Sequence, residues 1–159
     1  MYRTGIGFDV HTLAEDRQLI IGGVKIPHLK GLQGHSDADV LVHAVMDAAL
    51  GALALGDIGQ HFPDTDAEFK GANSLELLSH VNRLAEEKGF VCTNLDSIIM
   101  AEKPKMAPYL MKMRANLATA LKIKTEQVSV KATTTERLGL IGREEGIAAQ
   151  AIVLLNSIT

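Results

Sequence analysis

The sequence predicts an α/β (α+β) domain of four strand-like segments and three helices, and three observations carry that reading. From Gly5 to His11 apolar residues alternate with small or polar ones, the period of a half-buried strand. From Leu75 to Ala85 apolar residues recur at helical spacing. Glycines and prolines punctuate the segments, and no internal repeat, low-complexity stretch or linker interrupts them. The 159 residues fit a single domain, 1–159, long enough to bury a core. Aromatics are scarce and Trp is absent, so that core must be built from Ala, Leu, Ile and Val.

In the first strand Ile6, Phe8 and Val10 occupy one side, while Gly5, Gly7, Asp9 and His11 occupy the other, a bare-backbone face leading to two polar groups. Leu19 to Ile26 reads as a hairpin turning through Gly22-Gly23, which tolerate positive φ, and Pro27 ends it. Ser36 or Asp37 can cap the next helix, which is expected to run to about Leu55 and stop near Gly56. Asn73-Ser74-Leu75-Glu76 resembles a capping box and opens a second helix that Gly89 ends. Leu75, Leu78, Val81 and Ala85 form its inward stripe, and His80 lies opposite with Glu76, Arg83 and Glu87, a solvated position. Phe90 to Met100 reads as a strand. Pro108 suits the first turn of a helix running to about Lys122. Val128 to Ala132 and Ile147 to Leu155 close the sheet.

Hydrophobic content of 47% and charged content of 22% are ordinary for a globular chain. A net charge of −3 argues against nucleic acid as a partner, because phosphate neutralisation needs a basic surface. The longest apolar stretch, Val40 to Leu55, is interrupted by His43 and Asp47 and is too short to span a bilayer, so no membrane is expected. The N-terminus has neither an apolar signal core nor transit-peptide character, and the lone Cys92 fits a reducing compartment, so the expected location is cytoplasmic. Beside Val91, Cys92 reads as a core residue rather than a nucleophile. Charge is unevenly spread. Six of the nine Asp residues lie between Asp37 and Asp66, whereas Lys103 to Arg143 holds nine Lys or Arg and only two acids, Glu126 and Glu136. That division suits metal-dependent phosphate chemistry, and equally two solvated faces of opposite sign.

Asp9-Val10-His11 puts a carboxylate and an imidazole on one strand face, and His43 offers a second imidazole. This N/N/O set suits zinc with its fourth position open, the arrangement of a catalytic rather than a structural metal. Asp39, His43 and Asp47 fall at i, i+4 and i+8 and make one polar stripe on an otherwise apolar helix. Ionisable groups buried there need partners, and Asp39 or Asp47 could orient the His43 ring. Gly5 and Gly7 leave room for a ligand. Gly34-His35-Ser36-Asp37 precedes a helix N-terminus, where an anion can bind, or else Ser36 only caps and His35 is an exposed loop residue. Gly56-Asp57-Ile58-Gly59 and Phe62-Pro63-Asp64-Thr65-Asp66 are acidic turns, able either to cap or to accept hydrogen bonds from sugar hydroxyls. Thr133-Thr134-Thr135-Glu136 follows a strand, with hydroxyls for phosphate and a carboxylate for a hard cation, or is simply a Thr-rich strand end. Lys103 and Lys105 bracket Pro104 where a strand-to-helix loop would line a site. Gly142-Arg143 could hold a further phosphate, unless Glu144 and Glu145 simply pair with Arg143.

As an ordered set, Gly7-Phe8-Asp9-Val10-His11, His35-Ser36-Asp37, His43, Gly56-Asp57-Ile58-Gly59, Phe62-Pro63-Asp64-Thr65-Asp66 and Lys131-Ala132-Thr133-Thr134-Thr135-Glu136 resemble the 2-C-methyl-D-erythritol 2,4-cyclodiphosphate synthase family, from about Arg3 to the last strand. Leu140 stands where that pattern has Phe. The resemblance implies a mixed four-stranded sheet with helices on one face plus a small β-hairpin, assembled as a homotrimer with sites between subunits. It implies conversion of 4-diphosphocytidyl-2-C-methyl-D-erythritol 2-phosphate to the cyclic 2,4-diphosphate and CMP, in non-mevalonate isoprenoid biosynthesis. By position, Asp9, His11 and His43 would hold Zn²⁺, and Glu136 would hold Mg²⁺ or Mn²⁺ at the substrate diphosphate. His35 and Thr134 would be catalytic, with Ser36 beside them on the phosphates. Asp57, Ile58 and Gly59, with Phe62, Pro63, Asp64, Thr65 and Asp66, would bind the methylerythritol. Ala101, Glu102, Lys103, Pro104, Lys105, Met106 and Ala107, with Thr133, Thr135 and Glu136, would enclose the cytidine diphosphate, and Leu140 and Arg143 would complete the substrate contacts. The alternatives are a zinc-dependent phosphohydrolase and a non-catalytic module binding isoprenoid diphosphate in a central cavity near Arg143.

Overall fold

The sheet forms from the expected strands, here in a computed structural model that describes residues 1–63 and 65–158. In chain order the elements are β1 (Tyr2–Glu15), β2 (Leu19–Ile21), β3 (Val24–Ile26), β4 (Lys30–Leu32), α1 (Val40–Ala52), α2 (Ile58–His61), α3 (Ser74–Glu87), β5 (Phe90–Met100), α4 (Leu110–Leu121), β6 (Val128–Thr133), α5 (Gly139–Gly142) and β7 (Gly146–Ser157). The four long strands lie in the order β1-β7-β5-β6. β7 runs antiparallel to both β1 and β5, and β5 is parallel to β6 across the α4 connection, so the sheet is mixed. β4, three residues long and without a signal of its own in the sequence, adds to the outer edge of β1. β2 and β3 form the expected hairpin, with Gly22 and Gly23 at φ 59° and 70°.

α1 lies across β1 and β7, and α3 and α4 continue the helical layer over β5 and β6. The burial of β1 is the reverse of what hydropathy alone suggests. Its glycine side faces α1, and its apolar side is bare: Ile6 is 61% exposed and Phe8 55%. The room at Gly5 and Gly7 is taken by helix backbone rather than by a ligand. A Cβ on Gly7 would stand on the Ala44 carbonyl oxygen and 2.7 Å from Ala48 N. Glycine thus lets the strand approach α1 closely enough to align Asp9 and His11 with His43.

α1 is capped three residues after Ser36 and two after Asp37, the expected caps. Ala38 takes φ 55°, which no right-handed helix accommodates, and Asp39 becomes the N-cap by accepting from Val42 N. It ends at Ala52, before Leu55, because Ala54 and Gly56 adopt φ 57° and 83°. Every α1 residue except Asp47 and Gly51 is buried. α3 is capped by Asn73, whose side chain accepts from Leu75 N. Among the described residues, no helix is long and apolar enough to cross a membrane.

Candidate active site

Three ligand atoms converge where the glycine face of β1 meets the first turn of α1. Asp9 Oδ2 stands 2.8 Å from His11 Nε2 and 3.0 Å from His43 Nδ1, and the two nitrogens are 3.1 Å apart. Among the described residues this is the one group of three or more His, Cys, Asp or Glu side chains able to share an ion. The partners of the outer ring nitrogens bear on which inner nitrogens are bare. His11 Nδ1 lies 2.7 Å from the Gln33 carbonyl oxygen, which can only accept, so the His11 proton sits on Nδ1 and Nε2 is free. His43 Nε2 lies 3.0 Å from Ser36 Oγ and 3.1 Å from Ser74 Oγ, leaving Nδ1 toward the cluster.

Three electron-rich atoms about 3 Å apart repel one another unless a cation sits among them, and their edges fall a few tenths of an ångström short of the ~3.3 Å that tetrahedral zinc would set. The donor set therefore fits a zinc-sized ion. Burial pushes the Asp9 carboxyl up, but hydrogen bonds and charge from His11 and His43 outweigh it and hold it at about 2. Burial pulls His11 down, and Asp9 together with the Gln33 carbonyl raises it above its ordinary value.

The expected orienting carboxylates do other work. Asp39, fully buried, accepts from Gly22 N at 2.9 Å and Gly23 N at 2.7 Å as well as from Val42 N, fastening the β2–β3 hairpin to the start of α1. Burial lifts its carboxyl to about 6 against those three donors. Asp47 accepts from Ile58 N at 2.8 Å and holds the entry to α2. Helical spacing gave the stripe, and loops arriving from elsewhere decided what each rung touches.

The cluster opens into a cavity of about 440 Å³. His35, Ser36, Ile58, Gly59, Phe62, Pro63 and Thr65 line it beside Gly34 of the His35 motif, and so do Met46, Phe69 and Leu77, which the sequence did not single out. Phe62 packs edge-on to Phe69 at 5.3 Å and to the exposed His80 at 5.9 Å, building an apolar wall. Asp57 and Asp66 lie outside the lining and cap short helices, accepting from Gln60 N and Glu68 N. Asp64 lies outside the described residues.

A second cavity of about 480 Å³ is lined by Ala101, Glu102, Lys103, Pro104, Lys105, Met106 and Ala107 with Ala132, Thr133 and Thr134. His35 and Thr134 therefore face different cavities of one chain. Glu102 turns its carboxylate to its own backbone, accepting from Thr135 N at 2.9 Å and Arg137 N at 3.1 Å, and so pins the loop that bears Thr134 and Glu136. Glu136 is exposed at φ 53° and stands apart from the Asp9 cluster. Leu140 and Arg143, at α5, line neither cavity, and Arg143 pairs with Glu145 at 2.8 Å, as the neighbouring acids suggested. Cys92 is buried, its thiol pushed up to about 11 by that burial, an inert core residue.

The profile of the YgbB family matches residues 2–156. A protein from Alkaliphilus metalliredigens named 2-C-methyl-D-erythritol 2,4-cyclodiphosphate synthase is 64% identical over 151 residues, 95% of each chain. Among solved structures, the bifunctional IspDF from Campylobacter jejuni superposes with a TM-score of 0.95 at 47% identity, covering 99% of this chain and 42% of that one. IspF from Plasmodium falciparum, in complex with CDP, superposes at 0.87 with 34% identity, covering 99% and 97%.

Proposed function

The chain belongs to the YgbB family, and on that premise we propose that it converts 4-diphosphocytidyl-2-C-methyl-D-erythritol 2-phosphate to 2-C-methyl-D-erythritol 2,4-cyclodiphosphate and CMP, as a phosphorus–oxygen lyase of non-mevalonate isoprenoid biosynthesis. The observation that carries this is the convergence of Asp9, His11 and His43, with two bare nitrogens, on a cavity sized for a small phosphorylated polyol. Residues 1–159 act as one catalytic domain, and its setting is cytoplasmic.

In the reaction an oxygen of the 2-phosphate attacks the β-phosphorus, the bond from that phosphorus to the oxygen bridging to the α-phosphate breaks, and CMP departs with the electron pair. The nucleophile is already ionised at neutral pH, so the chain needs to align and screen two anions rather than supply a strong base. Asp9, His11 and His43 would hold Zn²⁺, which supplies Lewis-acid polarisation of a phosphate oxygen. Glu136 would contribute one carboxylate to Mg²⁺ or Mn²⁺, a modest share that suits ions otherwise held by substrate phosphates. His35 and Ser36 donate to the phosphate beside the cluster. Thr134 donates to the diphosphate from the other cavity, where the Ala101–Ala107 loop encloses the cytidine. Ile58, Gly59 and the Phe62–Asp66 loop, with Asp57, hold the methylerythritol, and the wall of Phe62, Phe69, Met46 and Leu77 keeps out the water that would divert cyclisation to hydrolysis.

His35 and Thr134 face separate cavities, and the sheet face carrying Ile6, Phe8 and Ile152 is bare. Both facts support a homotrimer in which the phosphate cavity of one subunit meets the cytidine cavity of the next. Such an assembly would also enclose a central space able to take an isoprenoid diphosphate, with Leu140 and Arg143 near it. Phosphorus NMR of the metal-replete protein with the diphosphocytidyl substrate tests the reaction. Cyclic diphosphate and CMP are expected. No cyclic product would overturn the proposal, and an opened monophosphate would identify a phosphohydrolase.

A further inference from the structure

We propose that Ser74, held by Asp37, is a positioning residue that fixes the tautomer of His43 and so aims a bare Nδ1 at the Asp9–His11 cluster; this rests on the metal-centre reading above. Ser74 is fully buried at the start of α3, and its Oγ lies 3.1 Å from His43 Nε2. The same hydroxyl donates to Asp37 Oδ1 in a short bond, while Ser74 N donates to Asp37 Oδ2 at 3.0 Å and Asp39 N donates to Asp37 Oδ1 at 3.2 Å. An ionised carboxylate only accepts, so the single Ser74 proton is committed to Asp37 and a lone pair faces the imidazole. Nε2 must then carry the His43 proton.

Ser36 cannot impose this choice. Its Oγ also lies 3.0 Å from Nε2 and accepts from Ala38 N at 3.3 Å, but its own proton is free to turn and donate instead. Asp9 pulls the opposite way, because its carboxylate oxygen 3.0 Å from Nδ1 would draw the ring proton to that nitrogen and block it as a ligand. Ser74, with Asp37 behind it, decides between the two. Its sequence position hides this role, since Ser74 follows the Asn73 cap and reads as part of a helix start. The two loops are tied by backbone as well, Asp37 N donating to Ala72 O and Gly71 N to His35 O, so α3 delivers its hydroxyl to a fixed place.

Two measurements on wild type, Ser74→Ala and Ser74→Thr test the proposal: zinc affinity by competition with a chelator, and the ¹⁵N shifts of His43 in metal-free protein in alkaline solution. Wild type should show protonated Nε2 and bare Nδ1. Ser74→Ala should move the proton toward Nδ1 and weaken zinc about 10- to 100-fold, the usual cost of losing a ligand's outer partner. Ser74→Thr, which keeps the hydroxyl, should restore both. Should the added methyl unfold the buried site, Asp37→Ala frees the Ser74 proton and should weaken zinc in the same sense. Wild-type affinity and an unchanged tautomer in Ser74→Ala would overturn the relay. A wild type that binds no zinc would overturn the metal centre alone, because the tautomer is read without metal.

Discussion

Asp9 and His11 hold each other's charge, and pH exposes the pairing. In metal-free protein Asp9 is held at about 2 against an ordinary 3.8, so its contribution to stability is full above that ordinary value and is lost as pH falls through about 2. His11 is held above its ordinary 6.5, so its contribution is full below that value and is lost as pH rises through its folded one. Both contributions coexist between roughly pH 4 and 6.5. Metal-free protein should therefore melt highest in that window and lower on the alkaline side, while saturating zinc removes the alkaline fall by replacing the shared proton with a cation. Calorimetry over a pH series, with chelator and with zinc, measures this; a metal-free protein as stable at alkaline pH as in the window would refute it. Asp9 and His11 were legible as candidates because a period of two sets them on one strand face, and His43 because it interrupts an otherwise apolar helix. Their orienting partners were not. Gln33 and Ser36 come from loops and Ser74 from the start of α3, segments whose relative positions no spacing encodes, and Asp39 and Asp47 have hydrogen-bond duties to β-turn and helix amides instead.

At the scale of elements, the alternation in β1 named its two faces but not which one is buried. Hydropathy favours the face of Ile6, Phe8 and Val10, yet only the glycine face permits α1 to approach closely enough to complete the cluster. Gly7→Ala tests that constraint. The added Cβ meets the backbone of Ala44 and Ala48, which cannot rotate away, so the strand or the helix must move, at a cost of about 3 kcal/mol and with weakened zinc binding. A variant with wild-type denaturant midpoint and zinc affinity would show that the contact is compliant. The hairpin depends on a single carboxylate in a similar way. Asp39→Asn puts an amide NH₂ where one oxygen now receives a backbone N–H, leaving Gly22 or Gly23 unsatisfied, and should cost about 1–3 kcal/mol. Urea titration reads the loss, and zinc should be retained, because the Asp39 carboxylate bonds to Gly22, Gly23 and Val42 and only its backbone carbonyl, which the substitution keeps, meets His43.

For the whole molecule, the bare sheet face and the divided cavities are two sides of one question, which Ile152→Lys can answer. Ile152 is 50% exposed and lies between Ile6 of β1 and Asp96 of β5 on the face opposite the helices. Its chain neighbours Ala151 and Val153 point into the core, so the substitution leaves packing beneath α1 intact. A lysine at an exposed strand position changes monomer stability by about 0.5 kcal/mol or less, and Asp96 stands beside it as a counter-charge. Asp9, His11 and His43 lie toward α1, away from this face, so zinc stoichiometry should stay at the wild-type value. The trimer proposed above would have to bury that lysine in each of its subunits at a cost of several kcal/mol, so the variant should sediment as a monomer. Cyclisation should then vanish, because His35 and Thr134 no longer share a substrate. A variant that remains oligomeric would place the interface elsewhere. One that is monomeric and still makes the cyclic product would prove the two cavities of a single chain sufficient.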